Sequence, residues 1–366
     1  MTPTDERVAL AKFACPACGG EAHWHPGRQT LVCPYCGTES DAPAGDPGTI
    51  VEHDLAGALR SLAGQRRGWQ TDRRSVRCQS CRAVSVLDPA RQAQNCEFCG
   101  SAQLVPYEET EPAFAPQSVV PFKLTAADAR ARIRAWYGKL WFAPNALKRK
   151  ALTDTVHGIY LPYWTFDARV NAHWTAESGR YHYTDRTVHH GGRGQTQRVR
   201  EIRWSPAAGS LEHFFDDDLV CASVGVHPRL LRGIEPFPMQ ALRPYDPGYV
   251  AGWVVERYQV PLPQGAERSR AQMNQQLVAL CAARVPGDTY RNLHVRADWR
   301  DQTFKHVLAP VWLMSYDYGR RSYQCVINGA SGAIRGEYPK SPWKIALIVL
   351  AIFIGVLIFM SFAGQR

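Results

Sequence analysis

The chain has 366 residues, of which 45% are hydrophobic and 21% charged, so it is long enough for two or three domains. Its formal net charge of +10 at pH 7 favours an anionic partner, but the charge is unevenly spread. Residues 1–110 contain 11 lysines and arginines against 13 acids, and the remainder contains 32 against 20. As a whole, the N-terminal region is therefore not basic, as a module that neutralises nucleic-acid phosphates would be.

Eight of the eleven cysteines form two copies of one pattern, which predicts zinc ribbons at residues 13–42 and 76–105. Each copy has two Cys-x-x-Cys pairs with fourteen residues between them, a spacing typical of four-cysteine zinc sites. A unit of about thirty residues has little core of its own, so the metal supplies folding free energy. The predicted ligands of two structural zinc ions are Cys15, Cys18, Cys33, Cys36, Cys78, Cys81, Cys96 and Cys99.

A disulfide scaffold is the alternative reading of these cysteines. The spacing is of the metal type and the polar N-terminus does not resemble a signal peptide, so we expect a reducing compartment. His23 and His25 lie inside the first ribbon but outside its Cys-x-x-Cys turns, and we interpret them as surface or packing residues. Cys221, Cys281 and Cys325 follow no ligand spacing and are interpreted as buried, inert thiols.

Two linkers separate these units from each other and from the rest of the chain. Residues 43–75 are predicted as a linker with a short helix, because 50–62 has helical hydrophobic spacing. Seven arginines between Arg60 and Arg82 form either solvated surface, the usual role of charge runs, or a docking patch for an acidic partner. Residues 106–124 form a second, proline-rich linker.

The body is predicted over residues 125–340. Thr125 and Asp128 form a capping box at the start of a helix that reaches residue 142. The aromatic residues of this helix pack on the following sheet, or its arginines lie on anionic lipid; packing is the more common arrangement. Further strands are predicted at 198–204, 219–226, 249–260, 323–327 and 333–337, with a turn at 328–332 and a long helix at 267–285.

One short phrase occurs twice in the body. The segments 160–164 and 308–312 both place a proline two residues before a tryptophan and begin an alternating, β-prone run. This favours two related β units within one domain. The predicted fold class is multi-domain α+β: two N-terminal zinc ribbons, a mainly antiparallel β-rich body with a few helices, and one C-terminal transmembrane helix.

The C-terminal segment is predicted as a transmembrane helix over residues 343–363. Nineteen consecutive residues, 345–363, contain no charge and no proline, and about 28 Å of helix would cross one hydrocarbon core. Trp343 is an interface aromatic, and Lys340 and Lys344 precede the span. A buried core helix is the alternative, but such a helix is rarely apolar on every face. Basic residues before the span and reduced thiolates both favour a cytoplasmic body.

Catalytic motifs are missing from the sequence. It contains no GxxxxGK[ST] phosphate loop, no GxSxG and no HExxH, so we expect no enzyme and no helicase activity. The triplet 216–218 consists of three aspartates that could bind a cation, but the sequence around it favours a turn. His189 and His190 are adjacent and would point apart on an extended chain, which makes a poor chelate.

The cysteine pattern resembles a TFIIB-type zinc ribbon, written twice. Together with the phrases at 120–123, 141–144, 160–164 and 310–332, it resembles a bacterial family of double zinc-ribbon, membrane-anchored proteins, some of which are labelled primosomal protein N′-like or helicase-like. The resemblance implies a cytoplasmic zinc-ribbon protein fixed to the bacterial inner membrane, and the C-terminal segment of this sequence predicts a single span with the N-terminal body in the cytoplasm. It also implies protein partners, of the SPFH/flotillin-like or phage-shock-protein-A-like kind, and a role in envelope maintenance.

The sequence therefore predicts a tail-anchored adaptor or scaffold protein that recruits partners at the membrane. The alternative is a membrane-tethered nucleic-acid-binding regulator, which the near-neutral ribbons disfavour. In both cases the four-cysteine sites have no open ligand position, so their metal is expected to be structural.

Overall fold

The computed structural model describes residues 13–41, 50–61, 74–87, 95–107, 114–145, 156–190, 193–319 and 321–363. Its strands are β1 (His23–His25), β2 (Thr30–Val32), β3 (Glu39–Ser40), β4 (His53–Asp54), β5 (Arg74–Cys78), β6 (Val84–Leu87), β7 (Leu104–Pro106), β8 (Ser118–Val119), β9 (Val156–His190), β10 (Arg193–Cys221), β11 (Arg243–Pro244), β12 (Val254–Glu256), β13 (Thr289–Tyr318), β14 (Arg321–Asn328) and β15 (Ile334–Gly336). Its α-helices are α1 (Leu55–Ser61), α2 (Ala126–Lys139), α3 (Pro228–Arg232), α4 (Leu262–Ala282) and α5 (Pro342–Ala363).

Two sheets organise the described residues. A small antiparallel sheet has the order β1-β2-β3. A twelve-stranded sheet follows the order β11-β8-β13-β9-β12-β6-β5-β7, with β10 paired to β9, β14 to β13, β15 to β14 and β4 to β13. All its pairs are antiparallel except β12 with β9 and β8 with β13. The predicted α+β class with a mainly antiparallel sheet is confirmed.

The centre of the large sheet is the antiparallel pair β9 and β13. The two proline–tryptophan phrases lie on these strands and face each other, with Pro310 opposite Tyr160 and Leu308 opposite Pro162. Both strands are buried on both faces here, which explains why the phrases read as continuous apolar runs rather than as alternation.

Helix α2 forms where its cap was predicted. The Thr125 hydroxyl accepts a hydrogen bond from the Asp128 N–H at 3.2 Å, and the Asp128 carboxylate accepts one from the Thr125 N–H at 3.0 Å. Ile133 and Tyr137 are buried against the sheet. The aromatic packing expected for this helix is therefore present, while Trp141, just beyond its end, is 56% exposed.

Several predicted element bounds differ from the structure. The helix predicted over 50–62 is α1, Leu55–Ser61, which follows the short strand β4, and the strand predicted at 219–226 ends at Cys221. Helix α4 begins five residues before the predicted start at Glu267, because Pro263 occupies its first turn, where a missing N–H costs nothing. A strand across 249–260 is wrong for its first part: Pro247–Val250 is a 3₁₀ helix, capped by Asp246, and only Val254–Glu256 is strand. The predicted turn at 328–332 is confirmed, with Gly332 at φ +81°.

Helix α5 forms over the predicted C-terminal span, and its described side chains are largely exposed. These side chains are described up to residue 357 and again at 359 and 360. Within the part of the chain that the structure describes, no helix is both long enough and apolar enough to cross a membrane.

Candidate metal centres and surrounding surfaces

The first predicted zinc site is brought together from two β-turns. Cys15 and Cys33 are buried while Cys18 and Cys36 are exposed, and their four sulfur atoms lie within 4.8 Å of one another. The Sγ atoms of Cys15 and Cys36 are 3.5 Å apart, as are those of Cys18 and Cys33. A tetrahedron of sulfurs about 2.3 Å from Zn²⁺ has edges of about 3.8 Å, so the group has metal-binding dimensions.

The second site has the same geometry. The sulfurs of Cys78, Cys81, Cys96 and Cys99 also lie within 4.8 Å of one another. The Cys78–Cys99 and Cys81–Cys96 sulfur pairs are both separated by 3.6 Å. Among the described residues, each group consists of four cysteine sulfurs, and a four-thiolate set fits a structural metal better than a catalytic one.

All four Cys-x-x-Cys turns are built alike. In each, the N–H of the residue after the second cysteine donates to the carbonyl of the first cysteine, at 2.8–2.9 Å. That residue is in the left-handed region, as Gly19, Gly37 and Gly100 at φ +69°, +75° and +74°, and as Arg82 at φ +66°. Glycine adopts this conformation without strain, whereas an arginine does so at some cost.

Hydrogen bonds and burial lower the pKa of some of these thiols and raise that of others. Against the Gly20 N–H, hydrogen bonds with Cys36 and Cys33 raise the pKa of Cys18 to about 12, and burial raises that of Cys99 to about 11. The hydroxyl and N–H of Thr38 lower the pKa of Cys36 to about 6. A hydrogen bond from Cys81, with backbone N–H donors at residues 98 and 99, lowers the pKa of Cys96 to about 5 against the effect of burial. Thiolates are the form that binds a metal, and a bound cation would lower these pKa values further.

The first ribbon is seated on the body through Trp24, which is 3% exposed. Its indole N–H donates to the Phe122 carbonyl at 3.4 Å, and its ring meets Tyr249 edge-on at 4.9 Å. Its backbone N–H donates to the Ala251 carbonyl at 3.1 Å, and its carbonyl accepts from the Trp253 indole at 3.1 Å. This ribbon is therefore packed into the body core rather than suspended from a linker.

The second ribbon is part of the large sheet, because β6 pairs with β12. Phe98, which lies between two of its cysteines, is fully buried with Val226, Leu230 and Val311. Gly225 is needed at this contact: a Cβ there would lie 2.7 Å from the Phe98 ring. The cysteine pattern located both ribbons, but the docking of the ribbons on the body was not predicted. The sequence signal for it is a large apolar residue inside each small metal unit, Trp24 in the first and Phe98 in the second.

The residues left outside the metal groups sit much as interpreted. His25 Nδ1 accepts a hydrogen bond from the Arg28 N–H, and His23 packs against Gly252. Cys281 and Cys325 are buried, and Cys221 is partly buried. Burial raises the pKa of all three thiols, that of Cys221 and of Cys325 to about 12, so they stay protonated and unreactive.

Asp217, the middle residue of the aspartate triplet, belongs to an ionic cluster around the buried Lys305, whereas Asp216 is exposed and Asp218 accepts hydrogen bonds from Ser269 and Gln272. The register of β10 with β9 shifts between Phe215 and Asp218, and Asp217 adopts φ +53° in this bulge. A second bulge, in β13, faces the same stretch of β9. Lys305, 5% exposed, lies 2.7 Å from an Asp217 oxygen, 2.8 Å from a Glu52 oxygen and 3.9 Å from an Asp167 oxygen.

Burial and ion pairing determine the pKa values in this cluster. Burial raises the pKa of Asp167 to about 6, against the attraction of Lys305. Burial opposes the charged form of Lys305, but hydrogen bonds to Asp217 and Glu52 raise its pKa. The same lysine lowers the pKa of Glu52 despite burial. One carboxylate oxygen from each of Asp167, Asp216 and Asp217 lies within 4.8 Å of the others, and the Lys305 ammonium already supplies a positive charge beside Asp217 and Asp167.

An elongated surface extends from the body along β9, β10 and the start of β13. We call residues 177–190, 193–206 and 289–291 the arm. Beyond Gly179, which pairs with Thr289, β9 pairs only with β10 among the described strands. Cross-strand pairs place Tyr181 opposite Ile202 and Tyr183 opposite Arg200 on one face.

This face of the arm combines exposed rings with arginines. The guanidinium of Arg198 lies 4.8 Å from the Tyr183 ring centre, and that of Arg200 lies 4.5 Å from the Tyr181 ring centre. Tyr183 is 56% exposed. Exposed aromatic and arginine side chains are enriched where proteins bind partners. Sequence reasoning predicted a strand at 198–204 but missed the arm, since short-range alternation does not reveal which strand extends past its neighbour.

Helix α5 is tied to the end of α2 at its base. The Lys344 ammonium donates to the Trp141 carbonyl at 2.9 Å, to the Ala143 carbonyl at 2.8 Å and to the Asn145 side chain at 2.9 Å. The Ser341 N–H donates to the Phe142 carbonyl at 2.8 Å. These four bonds fix the first turn of α5 against the body.

Comparison with known proteins gives one distant relative. The chain is 24% identical over 235 residues to the uncharacterized protein YdjG of Bacillus subtilis (strain 168). The match covers 63% of this chain and 66% of that protein, so it spans just under two thirds of the relative's length. No family model matches the chain. No solved structure matches it either.

Proposed function

We propose that this protein is a membrane-anchored adaptor or scaffold that recruits protein partners at the bacterial inner membrane, with its N-terminal body in the cytoplasm. The arm is the observation that carries the proposal. It presents exposed tyrosines and arginines on an extended sheet. Such a surface suits recognition of a macromolecule.

The attachment and the arm lie at opposite ends of one long strand. β13 begins at the arm, and its other end pairs with β14, which pairs with β15, the last strand before α5. From Thr289 to Met314 an extended strand covers roughly 80 Å at about 3.3 Å per residue. A protein held by α5 would therefore offer a binding surface well away from its point of attachment.

The sequence of α5 supports a membrane anchor. Its nineteen residues 345–363 have no charge and no proline, and a soluble helix rarely exposes apolar side chains on all faces. Lipid would cover these side chains. Reduced metal thiolates fit a cytoplasmic body, since the cytosol keeps thiols reduced.

Zinc is the proposed metal at both four-cysteine groups. Four cysteine sulfurs within 4.8 Å of one another suit Zn²⁺, whose role here would be to hold the ribbon turns and the docked residues Trp24 and Phe98 in place. The resemblance to double zinc-ribbon membrane proteins supports partners of the SPFH/flotillin-like or phage-shock-protein-A-like kind and a role in envelope maintenance.

A second candidate is nucleic-acid binding at the membrane. One observation favours it: residues 178–205 contain six arginines and two acids, so the arm is more basic than the ribbons. Each phosphate contact would make binding by the full-length protein fall with salt. No binding of single- or double-stranded nucleic acid at low salt would remove this candidate.

The adaptor proposal is tested by cross-linked co-purification from membranes of the native cells. We expect the wild-type chain to recover a defined set of proteins that the double variant Tyr181→Ser, Tyr183→Ser loses. Tyr35→Ser is the matched control, because Tyr35 is 80% exposed on the first ribbon. Recovery of the bait alone, or identical recoveries from wild type and the arm variant, would contradict an adaptor that works through the arm.

A further inference from the structure

The junction between α2 and α5 is a second surface with a definite composition. Trp141 is 56% exposed and Trp343 is 81% exposed. Both lie beside the contact that joins the two helices, since Lys344 donates to the Trp141 carbonyl and Trp343 precedes Lys344 in the chain. We call the exposed residues Lys139, Trp141, Lys340 and Trp343 the collar.

The collar is basic. The two segments that meet there, 139–145 and 340–344, contain three lysines and no acid. Tryptophan and long basic side chains are typical of protein segments that lie in the lipid headgroup region. There the indole can direct its apolar ring towards the acyl chains and its N–H towards water. Each basic residue beside a span strengthens binding to anionic lipid about fivefold.

The collar is also held in a fixed position relative to helix α5. Four hydrogen bonds fix 141–145 against 341–344, so Trp141 cannot move away from the first turn of α5 without breaking them. If α5 lies in lipid, the first turn lies at the headgroups, and the collar lies there with it.

From this geometry we infer that the collar is a docking surface for anionic phospholipid headgroups, which seats the body directly on the membrane rather than on a flexible stalk. The inference rests on the proposed anchor and adds a partner to it. Anionic lipid is favoured over an acidic protein because the surface is continuous with the base of the apolar helix.

The test uses the full-length protein, reconstituted in nanodiscs of phosphatidylcholine with or without phosphatidylglycerol. A photo-cross-linking benzoylphenylalanine replaces Trp141, and in a control replaces Tyr183, which is equally exposed on the arm. We expect position 141 to form lipid adducts, with phosphatidylglycerol enriched above its share of the disc, and position 183 to form none. Two zinc ions per chain would show that each variant is folded.

A charge change separates headgroup recognition from mere proximity. Lys139→Glu with Lys340→Glu should lower the phosphatidylglycerol enrichment several-fold, whereas Arg268→Glu with Arg284→Glu, exposed positions on and after α4, should leave it unchanged. Quenching of wild-type fluorescence by brominated lipid, compared with Trp141→Phe, gives a second measurement without the photoreactive residue.

The outcomes are distinguishable. A chain that enters the disc but gives no lipid adduct at position 141, or an adduct with a second copy of itself, would overturn the collar and leave the anchor intact. A chain that does not enter the disc at all would overturn the anchor and the collar with it.

Discussion

Replacing Trp24 by alanine should destabilise the whole body while leaving both metal sites filled. Trp24 lies on the first ribbon, but its ring is buried in the body core and its indole N–H donates to the Phe122 carbonyl. Removing a buried tryptophan loses its transfer free energy and leaves a cavity, which together cost about 3–5 kcal/mol. The cysteines do not touch this ring in any described contact, so zinc stoichiometry should stay at two.

The assay is denaturant unfolding of the full-length protein in micelles, followed by far-ultraviolet circular dichroism, with zinc measured by mass spectrometry. Tyr35→Ala is the control on the same ribbon, since its side chain is 80% exposed and its loss should cost less than about 0.5 kcal/mol. Equal midpoints for Trp24→Ala and Tyr35→Ala would refute the docking of the ribbon on the body. Loss of zinc from Trp24→Ala would show instead that this residue serves the metal site.

Three further outcomes follow from the buried groups. Cys96→Ser with Cys99→Ser should lower the zinc content from two ions to one and, because Phe98 then loses its support, reduce the free energy of unfolding by at least about 3 kcal/mol; unchanged zinc content would contradict the assignment. Burial raises the pKa of Glu256 to about 8, so the folded chain keeps a proton that the unfolded chain releases above about pH 4.5; stability should fall by about 2 kcal/mol from pH 6 to pH 8, and Glu256→Gln should remove that slope in denaturation midpoints. Lys305→Met should cost about 3–5 kcal/mol by leaving buried carboxylates uncompensated, and adding Asp217→Asn should restore part of that loss; additive effects in a double-mutant cycle would contradict the ion pair.

The parts of this fold that were predictable are those encoded locally. The cysteines of each turn are three residues apart, and the turn geometry that aims their sulfurs together depends on the next residue, so spacing alone identifies both four-cysteine groups. The capping box of α2 is likewise complete within residues 125–128. The turn at 328–332 needs only its asparagine and its glycine in the left-handed region.

What the sequence could not show depends on partners distant in the chain. The aspartate triplet was interpreted as a turn, and in the structure it forms a β-bulge. The ion pair between Asp217 and Lys305 could not be predicted, because the two residues are distant in the chain. Trp24 gave no sign of docking on Phe122, because nothing in a ribbon's own pattern specifies the surface it meets. The arm was missed because hydrophobic periodicity locates strands but not their pairing or relative length.

The adaptor proposal is tested most directly by photo-cross-linking in native cells from position 183, at the exposed face of the arm. With benzoylphenylalanine in place of Tyr183, the account predicts one or a few discrete protein adducts in the membrane fraction. These adducts should disappear when Arg198 and Arg200, which lie over the arm's tyrosine rings, are replaced by glutamate. Absence of any protein adduct at position 183, or nucleic acid as the adduct, would contradict it.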